Sequence, residues 1–291
     1  MIVVVDFNNI VYSAFHKSLR QNGIKDMTQL NWFYAGHVDT FRIMLLKLLN
    51  GITYNRIVFA LDSKPKHRQA LYADYKAQRE PLPINPKLAI AKEMETWNGE
   101  TLYSNGYEAD DAMAAFVARH EEEPITVLTS DKDMWQILDH DNVTIMNPVK
   151  VKCVDKADLK DAFDVEEYSH IKLVKALWGD SSDNIKNAVP RMQRYLLPII
   201  RESDGTLDDF FDRVFQPGVK LSGKCLEYLK NNQKLIETNY QLASLVYTCP
   251  YLLEPLADIG KYMSSGRDQP APEGVVPLQM VPGASIGGYT I

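Results

Sequence analysis

Cysteine is scarce: there are three in 291 residues, Cys153, Cys225 and Cys249, far apart and without a CxxC pair. Such an odd, scattered set excludes a disulfide scaffold and fits a reducing compartment. No apolar run approaches the roughly eighteen residues that a membrane span requires. The first residues, MIVVVDFNN, are apolar for only five positions, have no basic flank and meet an Asp at once. Neither a signal peptide nor a membrane anchor is expected from them. Internal repeats are lacking too. What remains is ordinary for a globular protein, with 45% hydrophobic and 24% charged residues. That composition excludes intrinsic disorder and collagen for the bulk of the chain, and the length allows most apolar surface to be buried.

Three short runs read as buried strands: IVVVDF at 2–7, RIVFALD at 56–62 and ITVLT at 125–129. Each is apolar along its whole length, as strands covered on both faces are. Helical patterns lie between them. The clearest, at 30–48, puts Leu30, Phe33, Tyr34, His37, Val38, Phe41, Met44, Leu45 and Leu48 on one stripe, with His37 as a core or edge histidine rather than a ligand. The fold class is therefore α/β, a mostly parallel central sheet flanked by helices. From about 156 the pattern is helical, at 156–163, 166–177, 190–202, 206–215, 222–230 and 232–247. Residues 266–291 hold five Gly, four Pro and only three charges, and no regular structure is expected there. The expected divisions are a core at 1–175, a helical region at 176–250 and a Pro/Gly-rich tail at 251–291.

In sheets of this type ligands bind beyond the carboxyl ends of the strands. Asp6, Asp62 and Asp131 fall at or just after such ends. Further acids stand in Glu108-Ala109-Asp110-Asp111, in Ser130-Asp131-Lys132-Asp133 and in Gly179-Asp180-Ser181-Ser182-Asp183-Asn184. Taken singly, each is a helix cap or a turn former. Gathered at one edge they would repel one another unless cations neutralised them. Hard divalent cations with oxygen ligands suit that task, and no His or Cys pattern points to zinc.

The net charge of −6 becomes +3 when these nine carboxylates are left out. The remainder is slightly basic, which suits a polyanionic partner. From Lys64 to Arg79, sixteen residues carry Lys64, Lys66, Arg68, Lys76 and Arg79 against Asp74 alone. By itself this is a solvated helix face. Directly after Asp62 it would overhang the acidic edge, where a phosphate diester would approach. Tyr72 and Tyr75, interleaved there, would stack on unpaired bases or pack the segment on the body.

VVVDFNNIVYSAF, FALDSKPKHRQALYADYKAQR, GYEADDAMAAF, TSDKDMWQIL and LWGDSSDNI span residues 2–185 in one order. In that order they resemble the structure-specific 5′-nuclease family: phage 5′–3′ exonucleases, the 5′-nuclease domains of bacterial DNA polymerases I, and flap endonucleases. The resemblance implies a divalent-metal-dependent 5′–3′ nuclease acting on DNA with 5′ ends, flaps or nicks, in replication or primer removal. It implies that Asp6, Asp62, Glu108, Asp110, Asp111, Asp131, Asp133, Asp180 and Asp183 hold two Mg²⁺, with Mn²⁺ as a substitute, Asp180 and Asp183 lying further out. Residues of about 64–95 match the family's helical arch. Lys76 and Arg79 match its YKxxR pair, set to steer or clamp the scissile phosphate, and Arg68 matches a basic position near it.

The sequence departs from the family after GDSSDN. A glycine-rich turn of the form GVxGIGxKTA usually opens a helix–three-turn–helix motif there, presents backbone N–H groups to duplex phosphates and often binds K⁺. This chain has IKNAVPRMQRYLLPII, without glycine. A degenerate motif is expected, with a helix beginning near Pro190 and with Lys186, Arg191 and Arg194 as side-chain phosphate contacts. A weaker duplex grip follows, and the K⁺ site is in doubt. Two rival readings share these residues: removal of RNA from RNA–DNA hybrids, and a non-catalytic DNA-structure-binding protein, whose mark would be lost acids. A cytoplasmic monomer is expected, with phage-encoded protein in a bacterial host as one setting.

Overall fold

The computed structural model describes residues 1–25, 36–79 and 85–263. Its centre is a seven-stranded sheet in the order β6-β5-β4-β1-β2-β3-β7. Strands β1 (Ile2–Asp6), β2 (Arg56–Leu61), β3 (Glu100–Tyr103), β4 (Ile125–Leu128) and β5 (Val143–Asn147) are all parallel. Two short antiparallel strands close the edges, β6 (Lys152–Cys153) on β5 and β7 (Leu252–Pro255) on β3.

Side chains alternate across this sheet, as the pleat requires. Val3, Val5, Ile57, Phe59 and Leu61 point to one layer, formed by α1 (Phe7–Gln21), α2 (Gly36–Leu49) and α4 (Pro86–Met94). Ile2, Val4, Val58, Ala60 and Leu102 point to the other, formed by α5 (Ala109–Ala118) and the helices that follow it. In the chain α3 (Lys66–Leu71) comes between β2 and α4. After α5 come α6 (Lys156–Phe163), α7 (Ile171–Trp178), α8 (Gln193–Glu202), α9 (Leu207–Val214), α10 (Gly223–Asn231), α11 (Gln233–Ala243) and the single turn α12 (Gly260–Met263). From β1 the chain builds outward through β2 and β3, then returns to place β4 on the other side of β1. That reversal is a topological switch point, and it opens a crevice at the carboxyl ends of β1, β2 and β4.

Four features differ from the sequence-based expectation. Residues 251–263 are not tail: β7 pairs with β3, and Leu256, Ile259 and Met263 are buried against the sheet. An edge strand needs neither length nor strong alternation, so its pattern is faint. Helix α8 begins at Gln193 rather than near Pro190, because Arg191 takes a left-handed backbone, φ 64°, that interrupts the helix. In the expected arch, α3 is six residues long and turns follow to Gln78. The later part, α4, buries Ile90, Ala91 and Met94 in the core beside α1 and α2 instead of standing over the edge. The arch positions 80–84, the helical positions 30–35 and the tail positions 266–291 lie outside the described residues. Among the described residues no helix is long and apolar enough to cross a membrane.

Candidate active site

At the switch point a cleft of about 480 Å³ is lined by Asp6, Asp62, Glu108, Asp110 and Asp131, with Lys76 and Arg79 at its rim. These acids come from four separate stretches of chain. The strand ends and the first turn of α5 bring them together.

Each carboxylate is aimed by its neighbours. Asp6 ends β1 and caps α1, accepting from the Asn9 N–H at 3.1 Å and the Thr129 hydroxyl at 2.8 Å. Asp62, just past β2, accepts from the Ala109 N–H at 2.9 Å and from the Asn8 amide. Asp110 stands in the first turn of α5, where the helix dipole favours negative charge. Asp131 accepts from the Asp133 N–H at 2.9 Å. Burial pushes the Asp6 carboxyl up to about 7, and the Asp62 charge adds to this. Asp110 is raised well above the usual range by burial and then by Asp131 and Asp6. Asp131 is raised by burial, against the opposing charges of Lys175 and Lys76. Three mutually repelling carboxyls, two of them held by hydrogen bonds and Asp110 by its place on α5, form an unbalanced, all-oxygen donor set. Such a set fits a hard divalent cation.

The outer acids are different. Oxygens of Asp133, Asp180 and Asp183 lie within 4.8 Å of one another, but protein cations already sit against them. The Lys175 ammonium contacts Asp133 and lies 2.6 Å from Asp180. Arg79 lies 2.8 Å from Asp183, and Lys76 3.6 Å from the same oxygen. Burial alone would raise Asp180, but hydrogen bonds from Lys175 and Ser182 hold it down at about 2.

The segment after α3 is clamped onto this edge. Lys76, with φ 56°, donates its amide N–H to the Asp183 carbonyl at 3.2 Å and its ammonium to Glu108 at 2.6 Å. Burial would lower its pKa, yet Glu108, Asp183 and Asp110 raise it, so the ammonium stays charged. Glu108 also accepts from the Tyr75 hydroxyl at 2.8 Å and from Arg68 at 3.2 Å.

Several expected roles are corrected by this geometry. Asp111 does not face the cleft: it is 0% exposed, forms a two-pronged pair with Arg68 and accepts from the Val246 N–H. Arg68, 4% exposed, spends its donors on Asp111, Glu108 and the carbonyls of Leu242 and Ser244. It is a buried tie rather than a group near a phosphate. Tyr75 is buried and shares its hydroxyl between Glu108 and Asp183, which leaves no ring face for a base. Tyr72 packs against the cluster of Tyr75, Ile185 and Leu242, with the Lys186 ammonium 6.0 Å from its ring. Lys64, Lys66, Lys186, Arg191 and Arg194 are exposed and outside the cleft lining. Arg194 lies over the Tyr195 ring at 4.5 Å.

Sequence reasoning missed Lys175 and the polar residues Asn8, Asn9 and Thr129 that aim the acids. It also missed the cleft wall that α1 supplies through Tyr12, Ser13, His16 and Arg20. For Lys175 a signal existed. Of the two lysines in the apolar run IKLVKALW, Lys172 near its start can reach solvent, whereas Lys175 in its middle must be buried with a counter-charge.

Comparison with known proteins agrees with this architecture. Residues 1–164 match the family described as 5′-3′ exonuclease, N-terminal resolvase-like domain. DNA polymerase I of Caldicellulosiruptor bescii is 25% identical over 263 residues, 86% of this chain and 29% of that protein. The thermostable DNA polymerase I of Thermus aquaticus is 30% identical over 190 residues, 63% of this chain and 22% of that one. The chain thus spans less than a third of these relatives. Among solved structures, a T5 5′-exonuclease with bound zinc ions superposes with a TM-score of 0.60 at 22% identity, covering 85% of this chain and 90% of that one. A T5 flap endonuclease complex with DNA and metal ions gives 0.55 at 20% identity, covering 90% of each. The family match covers six of the seven strands and the crevice with its inner acids, and the chain belongs to the 5′-3′ exonuclease family with an N-terminal resolvase-like domain.

Proposed function

We propose that this protein is a divalent-metal-dependent 5′–3′ nuclease that hydrolyses DNA phosphodiesters at 5′ ends and 5′ flaps. The observation that carries this reading is the convergence of Asp6, Asp62, Asp110 and Asp131 on one cleft with the Lys76 ammonium at its rim. Family membership and the metal- and DNA-bound T5 structures support it. Asp6, Asp110 and Asp131, with Asp62 beside them, are the residues to hold the ions, Mg²⁺ or Mn²⁺. When bound, such ions supply Lewis-acid charge and lower the pKa of a coordinated water.

The chain's own residues do the rest. Thr129 and the Asn9 N–H fix the Asp6 oxygens, and Asn8 and the Ala109 N–H fix those of Asp62, so this inner part of the pocket is already assembled. Lys76 is protonated and held by Glu108, placed to offset charge that develops on a phosphate in the cleft. Arg79, half exposed and paired with Asp183, adds a second cation at the rim. The exposed cations Lys64, Lys66, Lys186, Arg191 and Arg194 are contacts for the DNA backbone.

The test is digestion of 5′-labelled flap, nicked and blunt DNA, with an RNA–DNA duplex in parallel, in Mg²⁺ and in EDTA. Short 5′ products from flap and nicked DNA in Mg²⁺, absent in EDTA, are the expected result. Equal cleavage with all divalent ions chelated would overturn the reading.

A further inference from the structure

Lys175 stands apart from the other cations of this edge. Its side chain is only 11% exposed, and its neighbours on α7, Leu173, Val174, Ala176 and Leu177, are all buried in the core. From this docked helix the side chain delivers its ammonium between Asp133 and Asp180. Those two, with Asp183, are the three carboxylates whose oxygens crowd within 4.8 Å.

Both partners of Lys175 are rigidly held. Asp180 belongs to a turn closed by paired backbone hydrogen bonds with Ile185, at 2.9 and 2.8 Å. That turn is set by Gly179, φ 76°, where a Cβ would meet the Ile185 carbonyl oxygen at 2.5 Å. Asp133 opens the 3-10 turn after β4. The ammonium thus ties the turn after α7 to the turn after β4 at the place where an outer divalent ion would have its oxygen ligands. It also carries the opposite charge toward Asp131, one of the inner acids.

We propose that Lys175 is an internal cation that holds the outer acidic cluster assembled before the second divalent ion binds, and that it must withdraw for that ion to enter. The inference rests on the metal-dependent reading above. A single positive charge keeps Asp133 and Asp180 together in the metal-free protein. A doubly charged ion within a few ångströms of it would be repelled unless the ammonium moved out of the cluster. Lys175 is thus a positioning residue that sets how tightly the outer ion binds relative to the inner one.

The experiment uses the full chain, stripped with EDTA and titrated with Mn²⁺, with bound ions counted by calorimetry and by loss of the free-ion electron-spin signal. Lys175→Met is expected to tighten binding of the second ion by about tenfold or more, while Lys175→Arg, which keeps the charge, leaves it weak. Lysine acetylation of the unaltered protein, read by peptide mass spectrometry, avoids any folding defect of the variants. Lys175 is expected to be protected in EDTA and with one ion bound, and to become reactive as the second ion binds. Protection that persists at saturating Mn²⁺, or an unchanged second dissociation constant in a folded Lys175→Met protein, overturns the inference and leaves the function above standing. Absence of any Mn²⁺ binding overturns both.

Discussion

Two groups of acids share one edge of the sheet and have opposite electrostatic fates. The inner group, Asp6, Asp110 and Asp131, is crowded and lacks a direct ion pair among the described residues, and its carboxyls are driven up, Asp6 to about 7. The outer group is saturated with protein cations. Lys175 serves Asp133 and Asp180, Arg79 and Lys76 serve Asp183, and Arg68 serves Asp111. Asp180 is accordingly held down at about 2. The residue type is the same throughout. What differs is whether the fold brings a lysine or arginine within reach. An acid that the protein leaves unbalanced is where an outside cation is wanted first, and one that a protein cation already matches is open to an outside ion only when that cation moves away.

That contrast can be attacked from its strongest side first. Asp110→Asn or Asp131→Asn should reduce cleavage by at least about a hundredfold while DNA binding stays measurable. Single-turnover rates and a gel-shift assay give both quantities, and near-normal cleavage would remove the inner group from the chemistry. Arg68→Ala should act on stability instead. It leaves Asp111 buried and unpaired, at a cost of about 3–5 kcal/mol, readable by urea unfolding in EDTA. A loss below about 1 kcal/mol would mean that Arg68 is not the buried tie described here.

Lys76→Ala should lower turnover at saturating DNA by about tenfold. A change confined to affinity would make Lys76 a phosphate anchor. The pH response of the metal-free protein sharpens the comparison further. Because the folded-state value for Asp6 is raised to about 7 from 3.8, the folded form holds that proton more tightly than the unfolded chain does. Its contribution favours folding at low pH and is lost as pH rises from about 4 to about 7. Divalent ions replace that proton, so Mn²⁺ affinity should climb through the same window and then level off. Thermal unfolding with and without Mn²⁺ across that range checks the sign. The smallest effect is expected from Lys64→Ala with Lys66→Ala: a few-fold loss of DNA affinity and a shallower salt dependence, with turnover unchanged.

Much of the architecture was legible in the sequence, for identifiable reasons. β1, β2 and β4 are almost wholly apolar and buried because both of their faces are covered, so their pattern is unmistakable. β3, with only its two middle residues buried, and the edge strands β6 and β7 leave no such trace. The break at Arg191 was invisible because a left-handed residue other than glycine carries no compositional mark. Among the site residues, Asp6, Asp62 and Asp131 were recognisable from their place at strand ends. By contrast, the ADD triplet at 109–111 gives no sign that Asp110 faces the cleft while Asp111 faces Arg68. One step along a helix turns a side chain by about a hundred degrees, and only the packing of α5 decides which acid points where.

The linear order of residues was sufficient to determine a mostly parallel sheet with acids at its mouth. Strand burial and connection rules act on local pattern and leave few alternatives. Which acids stay bare and which are matched was decided by tertiary structure. Lys175 and Asp133 are 42 residues apart, as Arg68 and Asp111 are 43. Charge pairing depends on distance in space, and distance in space becomes known only when the helices have docked.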